Sequence, residues 1–279
     1  MLVLRSVDAL RAARGEAAAP VGFVPTMGFL HEGHLSLVTA ARAECRTVIA
    51  SIFVNPTQFG PGEDFERYPR NEPRDLAMLE AAGVDLVLVP PVDELYPPGD
   101  ATRVTVPGLS SMLEGARRPG HFDGVATVVA KLFHIVRPDR AYFGQKDAQQ
   151  LAVITRMARD LLLPVTVVGC PTVRELDGLA CSSRNVYLSP EQRAQAVALS
   201  AGLRGAEAAF AAGERDAEAL RRAARAPIEA QPLASIDYLS LADAASLAEL
   251  SGAVAGPSLL SMAVAFGATH LLDNTTLRP

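Results

Sequence analysis

Long apolar runs are missing from this chain. None approaches the roughly 18 consecutive apolar residues of a membrane-spanning helix, so no membrane partner is expected. The start, Met1-Leu2-Val3-Leu4-Arg5-Ser6-Val7-Asp8, lacks the uninterrupted apolar core of a secretory signal. Cysteine is scarce. Cys45, Cys170 and Cys181 are odd in number and show no C-x-x-C spacing, so no disulfide framework is implied and the expected compartment is a reducing cytoplasm. Basic charge is short as well: 26 Lys and Arg against 31 Asp and Glu leave a net charge of −5. The pair Arg117-Arg118 is too small for the broad basic face that nucleic acid requires, so no nucleic-acid partner is expected. Internal repeats are absent too, and nothing is of low complexity beyond richness in alanine.

What remains is a globular composition. Hydrophobic residues make up 49% and charged residues 20% of 279 residues, enough for one large or two ordinary domains with a sizeable core. Through about residue 170, strand-like and helix-like stretches alternate. The runs Val21–Val24, Val48–Val54, Val84–Val89, Ala141–Phe143 and Val165–Val168 are largely apolar, with Asp85 the one charged residue among them, as strands covered on both faces are. Helix-like spacing follows each of the first four: from Leu35, over Pro73–Ala82 with Gly83 as the stop, over Val125–Val136, and over Asp147–Leu162. This alternation predicts an α/β fold, a Rossmann-like doubly wound parallel sheet. Beyond about residue 171 the pattern changes. Ser189-Pro190 opens a long Ala-rich helix, a second runs from Asp216 to Ala230, and Ile236–Leu241 and Leu259–Phe266 read as strands. The expected domains are therefore 1–170, binding nucleotide and small substrate, and 171–279, a smaller α+β lid.

The densest signal is Pro25-Thr26-Met27-Gly28-Phe29-Leu30-His31-Glu32-Gly33-His34, set where a buried strand hands over to a helix. Unpaired backbone N–H groups and the helix dipole favour an anion at such a place. Gly28 and Gly33 allow the backbone close to a ligand. A metal pair is the weaker reading, because His31 and His34 lack the i, i+4 spacing of a zinc-protease helix and no third ligand lies near in sequence. A nucleotide triphosphate fits better.

Ligands of open α/β sheets bind at the carboxyl ends of strands, so the other strand-end loops are the places to look. They carry Asn55 to Gly60, Gly144 to Gln150, and Cys181 to Asn185. His31, His34, Lys146, Ser182, Ser183 and Arg184 are donors or cations suited to phosphate oxygens. A cation at a helix start opposes the dipole unless an anion sits there, which favours a ligand role for Lys146. Gln58 and Gln150 are neutral amides suited to a small polar substrate. Taken singly, Ser182-Ser183-Arg184 and the two glutamines would pass as ordinary loop or helix-surface residues; their joint placement favours function.

Across essentially its whole length the chain resembles the pantoate–β-alanine ligase (pantothenate synthetase) family. The resemblance rests on Pro25-Thr26-Met27-Gly28 with His31-Glu32-Gly33-His34, on Ser51-Ile52-Phe53-Val54-Asn55-Pro56 through Gln58-Phe59, and on Arg67-Tyr68-Pro69-Arg70. It continues through Pro107-Gly108-Leu109, Leu113-Glu114-Gly115, Arg118-Pro119-Gly120-His121-Phe122, Phe143-Gly144-Gln145-Lys146-Asp147 and Ser182-Ser183-Arg184-Asn185. The His-x-Gly-His element also marks the wider nucleotidyltransferase superfamily. A nucleotidyltransferase that forms a nucleotide-linked product without an amide is therefore the alternative, although it gives no reason for Gln58 and Gln150.

The resemblance implies an ATP-dependent ligase that makes pantothenate through pantoyl adenylate, releasing AMP and pyrophosphate. It implies that ATP is bound by Met27, Gly28, Phe29, Leu30, His31, Glu32, Gly33, His34, Gly144, Gln145, Lys146, Asp147, Val173, Cys181, Ser182, Ser183 and Arg184. Catalytic work would fall to His34, Lys146, Ser182, Ser183 and Arg184, and pantoate would be held by Gln58 and Gln150, with Gln58 also near β-alanine. His121 would lie near the phosphates. No metal ligand is read from the protein, so Mg²⁺ would be held mainly through phosphates. A homodimer is expected. One departure stands out: the family commonly has Met or Leu where this chain has Cys181.

Overall fold

A computed structural model describes all residues, 1–279. The chain divides into two compact units, Met1–Gln145 with Gln149–Pro171, and Lys146–Ala148 with Thr172–Pro279.

The first unit is built on a six-stranded sheet. Its strands are β1 (Leu2–Leu4), β2 (Val21–Thr26), β3 (Thr47–Ile52), β4 (Leu86–Leu88), β5 (Arg140–Gly144) and β6 (Thr166–Cys170). They lie in the order β1-β4-β3-β2-β5-β6, and every pairing is parallel. All six residues of β3 are buried, as a continuous apolar run covered on both faces requires. The helices are α1 (Val7–Gly15), α2 (Glu32–Glu44), α3 (Glu72–Ala81), α4 (Val92–Leu95), α5 (Leu113–Arg117), α6 (His121–Val136) and α7 (Ala148–Asp160). Gly83 follows α3 at φ +85°, the left-handed stop its position suggests.

Several boundaries differ from the periodicity. Helix α2 starts at Glu32, ahead of its first apolar residue, because His31 caps it. Helix α6 starts at His121 instead of Val125, and α7 is preceded by a 3₁₀ turn, Gln145–Asp147. Strand β1 and helix α1 lie outside the sequence expectation, since a three-residue strand is too short to show a period.

From β2 the chain steps to β3 and β4, then crosses back to place β5 on the other side of β2. Strand order reverses there. In open parallel sheets this is where the carboxyl ends of neighbouring strands part and leave a crevice for a ligand. The loop after β2 is the Met27–His31 segment, and β5 ends at Gly144.

The second unit is α+β. Strands β7 (Ala234–Asp243), β8 (Ser258–Phe266) and β9 (Thr269–Leu277) form an antiparallel sheet. With it come helices α8 (Pro190–Ala196), α9 (Ala198–Ala211) and α10 (Ala217–Glu229). Ser189 caps α8 with Pro190 at its start, but the expected single Ala-rich helix breaks at Val197 into α8 and α9. Ala217, Leu220, Ala224 and Ile228 lie at helical spacing on α10 and are fully buried, packing in one core with Leu260, Met262 and Val264 of β8. No helix of the structure is long and apolar enough to cross a membrane.

Candidate functional site

Strand β2 ends in Thr26, whose hydroxyl donates to the Ser51 carbonyl at 2.7 Å and accepts the Gly28 N–H at 3.2 Å. The chain then turns through two left-handed residues, Gly28 at φ +82° and Phe29 at φ +50°. A Cβ at Gly28 would sit 3.0 Å from Ile52 and 3.1 Å from Asp75, so any other residue would add crowding to the strain of a positive φ. Phe29 has a side chain and bears the strain of that conformation. Buried Asp75, in the first turn of α3, holds it there by accepting the N–H groups of Phe29 and Leu30 at 2.7 and 2.8 Å.

The two histidines form a reciprocal cap at the start of α2. His31 Nδ1 accepts the Gly33 N–H at 3.2 Å, and His34 Nδ1 accepts the His31 N–H at 3.3 Å. Their ring centroids are 4.0 Å apart. A nitrogen that accepts from a backbone N–H cannot carry a proton, so each neutral ring must be protonated at Nε2. This revises one expectation. Several N–H groups at this strand-to-helix junction are already satisfied, by imidazoles and by Asp75.

After β3 comes Asn55, which caps a 3₁₀ turn, Pro56–Gln58. Asn55 is 1% exposed, and its amide is fully committed. Its Oδ1 accepts from the Thr57 N–H at 3.3 Å and the Thr57 hydroxyl at 2.9 Å. Its Nδ2 donates to the Gly124 carbonyl and to Gln58 Oε1, each at 3.1 Å. Gly124 of α6 is indispensable here, because a Cβ would fall 2.3 Å from the Thr57 carbonyl oxygen. With Asn55 Nδ2 as donor, Gln58 must turn its Oε1 toward Asn55 and its Nε2 the other way, where it lies 3.1 Å from Met27 Sδ. Gln58 therefore presents an N–H donor beside the histidine loop.

The Gln58 main chain is fixed as firmly. Its carbonyl accepts from His121 Nδ1 at 2.7 Å and from Arg118 Nη2 at 3.3 Å. Arg118 forms a two-pronged ion pair with Glu63, its Nε at 2.9 Å from Oε1 and its Nη2 on Oε2. Burial works to raise the Glu63 carboxyl, but hydrogen bonds and charge from Arg118 outweigh it and leave the group below its ordinary value. His121 thus lies against Gln58.

Two adjacent glutamines on α7 separate cleanly. Gln149 is buried and saturated: Nε2 donates to the carbonyls of Leu109 and Met112 at 2.8 and 2.7 Å, and Oε1 accepts the Glu114 N–H at 3.1 Å. Its work is structural. Gln150 is half-buried and makes none of these contacts.

Of the remaining expected residues, Gly144 ends β5 and Gln145 follows it in the first unit, and the others belong to the second. Lys146 sits in the 3₁₀ turn before α7, its Nζ 3.6 Å from Asp147 Oδ1. Val173 and Cys181 face each other across a short hairpin, with the Cys181 N–H donating to the Val173 carbonyl at 2.9 Å. Ser182 caps the following 3₁₀ turn, Ser183–Tyr187, by accepting the Arg184 N–H at 3.3 Å, and Ser183 is buried. Within the first unit the structure brings together Met27 to His34 and Gln58; within the second it orders Val173 and Cys181 to Arg184 on one continuous segment. Asn55 and Asp75 have no role assigned from sequence. Asn55 lies inside a recognised motif and could have been found there, whereas nothing in sequence tells that Asp75 is bonded to backbone 45 residues away.

Similarity to known proteins extends over essentially the whole chain. Residues 2–276 match the family model described as pantoate-beta-alanine ligase. Pantothenate synthetase of Chloroflexus aurantiacus is 59% identical over 277 residues, 99% of this chain and 98% of the relative. That of Moorella thermoacetica is 54% identical, covering 99% of each. The crystal structure of pantothenate synthetase from Thermus thermophilus matches with a TM-score of 0.95 at 52% identity, covering 100% of both chains. The Francisella tularensis pantoate-beta-alanine ligase, described as complexed with beta-gamma ATP and beta-alanine, matches with a TM-score of 0.80 at 31% identity, over 99% of this chain and 97% of that one.

Proposed function

Because the chain belongs to the pantoate–β-alanine ligase family, we infer that it condenses pantoate with β-alanine at the expense of ATP. In the first half-reaction a pantoate carboxylate oxygen attacks the α-phosphorus of ATP, the bond to the bridging oxygen breaks, and pyrophosphate leaves. In the second, the β-alanine amine attacks the acyl carbon of pantoyl adenylate, AMP departs with the C–O electron pair, and the amine loses a proton to give the amide.

The observation that carries this reading is the Gln58–Met27 contact of 3.1 Å. An N–H donor beside the loop that carries the two imidazoles supports the reading, because it suits the pantoate carboxylate or hydroxyls. A neutral amide suits this place better than a guanidinium, because a bidentate cation would stabilise the carboxylate and blunt its attack. Gln150 supplies a second amide for the same substrate.

For ATP we assign Met27, Gly28, Phe29, Leu30, His31, Glu32, Gly33 and His34, together with Gly144, Gln145, Lys146, Asp147, Val173, Cys181, Ser182, Ser183 and Arg184. Nucleotidyl transfer is mostly positioning and charge stabilisation. His34 and Lys146 would offset charge growing on the leaving pyrophosphate, with Ser182, Ser183 and Arg184 as further donors. The first unit would then hold pantoate and the triphosphate loop, and the second would help shield the adenylate from hydrolysis. Mg²⁺ would enter on the triphosphate and neutralise part of its charge. The imidazole pair suits phosphate oxygens and not a cation, since both Nδ1 lone pairs are already committed to backbone N–H groups. The reading extends to a homodimer in the cytoplasm, in keeping with three cysteines that are all free thiols.

Product analysis tests the reading. With pantoate, β-alanine and Mg-ATP, AMP, pyrophosphate and pantothenate should appear in equal amounts. ADP with inorganic phosphate would overturn the adenylate route, and a stable nucleotide-linked product with no amide would favour a plain nucleotidyltransferase.

A further inference from the structure

Strand β9 carries two polar residues in succession, Asp273 and Asn274, and each is tied to a segment assigned above to ATP. Successive side chains of a strand leave on opposite faces. Asp273 is 2% exposed and takes a bidentate Arg174: Nη1 lies 2.7 Å from Oδ2, and Nη2 lies 2.9 Å from Oδ1. Arg174 follows Val173, and its Nη1 also donates to the Gly178 carbonyl at 3.1 Å, so the pair pins the hairpin that aligns Val173 with Cys181. Asn274 Nδ2 donates to the Lys146 carbonyl at 2.6 Å. The Asn274 N–H is bonded in turn to Asp273 Oδ1 at 2.8 Å, which joins the two anchors.

We propose that Asn274 is a positioning residue for Lys146, and that with Asp273 it makes β9 a strut holding two ATP-contacting segments at a fixed spacing. The proposal rests on the assignment of Lys146 and Val173 to the nucleotide. Lys146 belongs to a single 3₁₀ turn, too short to hold its own geometry, so an outside hydrogen bond to its carbonyl decides where the side chain begins. Asn274 meets Lys146 at the main-chain carbonyl. It acts through the lysine, where an error of about 1 Å can cost on the order of a hundredfold in rate.

The test compares Asn274→Leu, Lys146→Ala and the double variant in ATP–pyrophosphate exchange at saturating pantoate. Asn274→Leu should lower exchange roughly ten- to a hundredfold while leaving KM for pantoate unchanged. In the Lys146→Ala background the same substitution should cost less than about threefold, because interacting residues are not additive. Asn274→Asp keeps the shape and loses the donor. It should show the same defect, partly restored relative to wild type as falling pH protonates the carboxyl and lets it donate to Lys146. Asp273→Asn should instead raise KM for ATP with a smaller effect on kcat. Near-normal exchange in both Asn274 variants, with Lys146→Ala inactive, overturns the inference and leaves the ATP assignment standing. Equal losses in both backgrounds overturn it too, since Asn274 would not then act through Lys146. Full exchange in Lys146→Ala removes the ATP assignment and the inference together.

Discussion

The carboxylate of Asp75 takes the backbone N–H of Phe29 at 2.7 Å. A side chain from the start of α3 thereby holds a left-handed, non-glycine residue next to the histidine pair. Asp75 is 1% exposed, and its other oxygen holds Leu30 in the same way. The strain at Phe29 persists because two hydrogen bonds over-determine it.

Replacing Asp75 should therefore injure catalysis beyond its effect on stability. Asp75→Ala leaves two N–H groups without their acceptor, and a buried unsatisfied donor costs about 1–3 kcal/mol. Thermal unfolding should register that loss. ATP–pyrophosphate exchange should fall further, on the order of a hundredfold, as Phe29 relaxes and carries His31 with it. Equal small losses in both measurements would reduce Asp75 to a structural residue.

His34 and Lys146 should behave differently. Each is proposed to meet charge on leaving pyrophosphate, so alanine at either position should cost about 10²–10³ in kcat, as for other preorganised donors. Neither belongs to the buried core, so melting temperatures should hardly move. A variant that folds and adenylates at a near-normal rate removes that residue from the catalytic set.

Asn55 sets which way the Gln58 amide points, and under the proposed function that decides which end meets pantoate. Asn55→Asp replaces the donor facing Gln58 Oε1 with an acceptor, so the Gln58 amide should flip and present oxygen to an acceptor-rich ligand. KM for pantoate should rise about 5- to 150-fold, the range for one lost or reversed hydrogen bond. KM for ATP should stay within twofold or so. A rise confined to ATP would place Gln58 in the wrong half of the site.

Gln150→Leu conserves volume and removes both amide functions. Pantoate affinity should weaken by a similar factor, roughly 5- to 150-fold, with ATP affinity undisturbed. Titration of each ligand into the variant by calorimetry decides it. The neighbouring Gln149→Leu should instead lower stability, because it strips partners from Leu109, Met112 and Glu114.

The Glu63–Arg118 pair supplies an acid-dependent part of stability. The Glu63 carboxyl sits below its ordinary value of 4.5 in the folded protein. Its contribution is therefore present above that value and is lost as pH falls through the lower, folded-state one. Melts from about pH 6 down to about pH 3 should show a steeper fall for wild type than for Glu63→Gln. Parallel curves would mean the pair adds nothing beyond what an exposed pair does.

Sequence reading finds what repeats a period. Buried strands such as β3 are continuous apolar runs, and α2, α3 and α7 have a spaced apolar face, so the parallel sheet is legible. Strand β9 is not, because inward-facing Asp273 interrupts the alternation of Thr269, Leu271 and Leu277, and its buried charge makes sense only with Arg174 beside it. The break at Val197 escapes for the opposite reason: alanine is so strong a helix former that composition predicts continuity. At the site, residues of obvious chemistry are visible, while those that orient them are not. Asn55 and Asp75 work through backbone groups, which no residue pattern spells out.

Strand β2 meets β5 where the Val21 N–H reaches the Asp139 carboxylate at 2.6 Å, across 118 residues of chain. The crevice at the switch point is one of the longest-range closures in the sheet. Drawing such distant segments together costs loop entropy that nearer pairings do not. A nascent chain that has emerged from the ribosome only as far as α5 already carries His31, His34 and Gln58, yet has no wall opposite them. On the assignment proposed above, competence for nucleotide would wait for β5 and then for Val173 and Cys181 to Arg184, so the nucleotide could not template the earlier stages of folding.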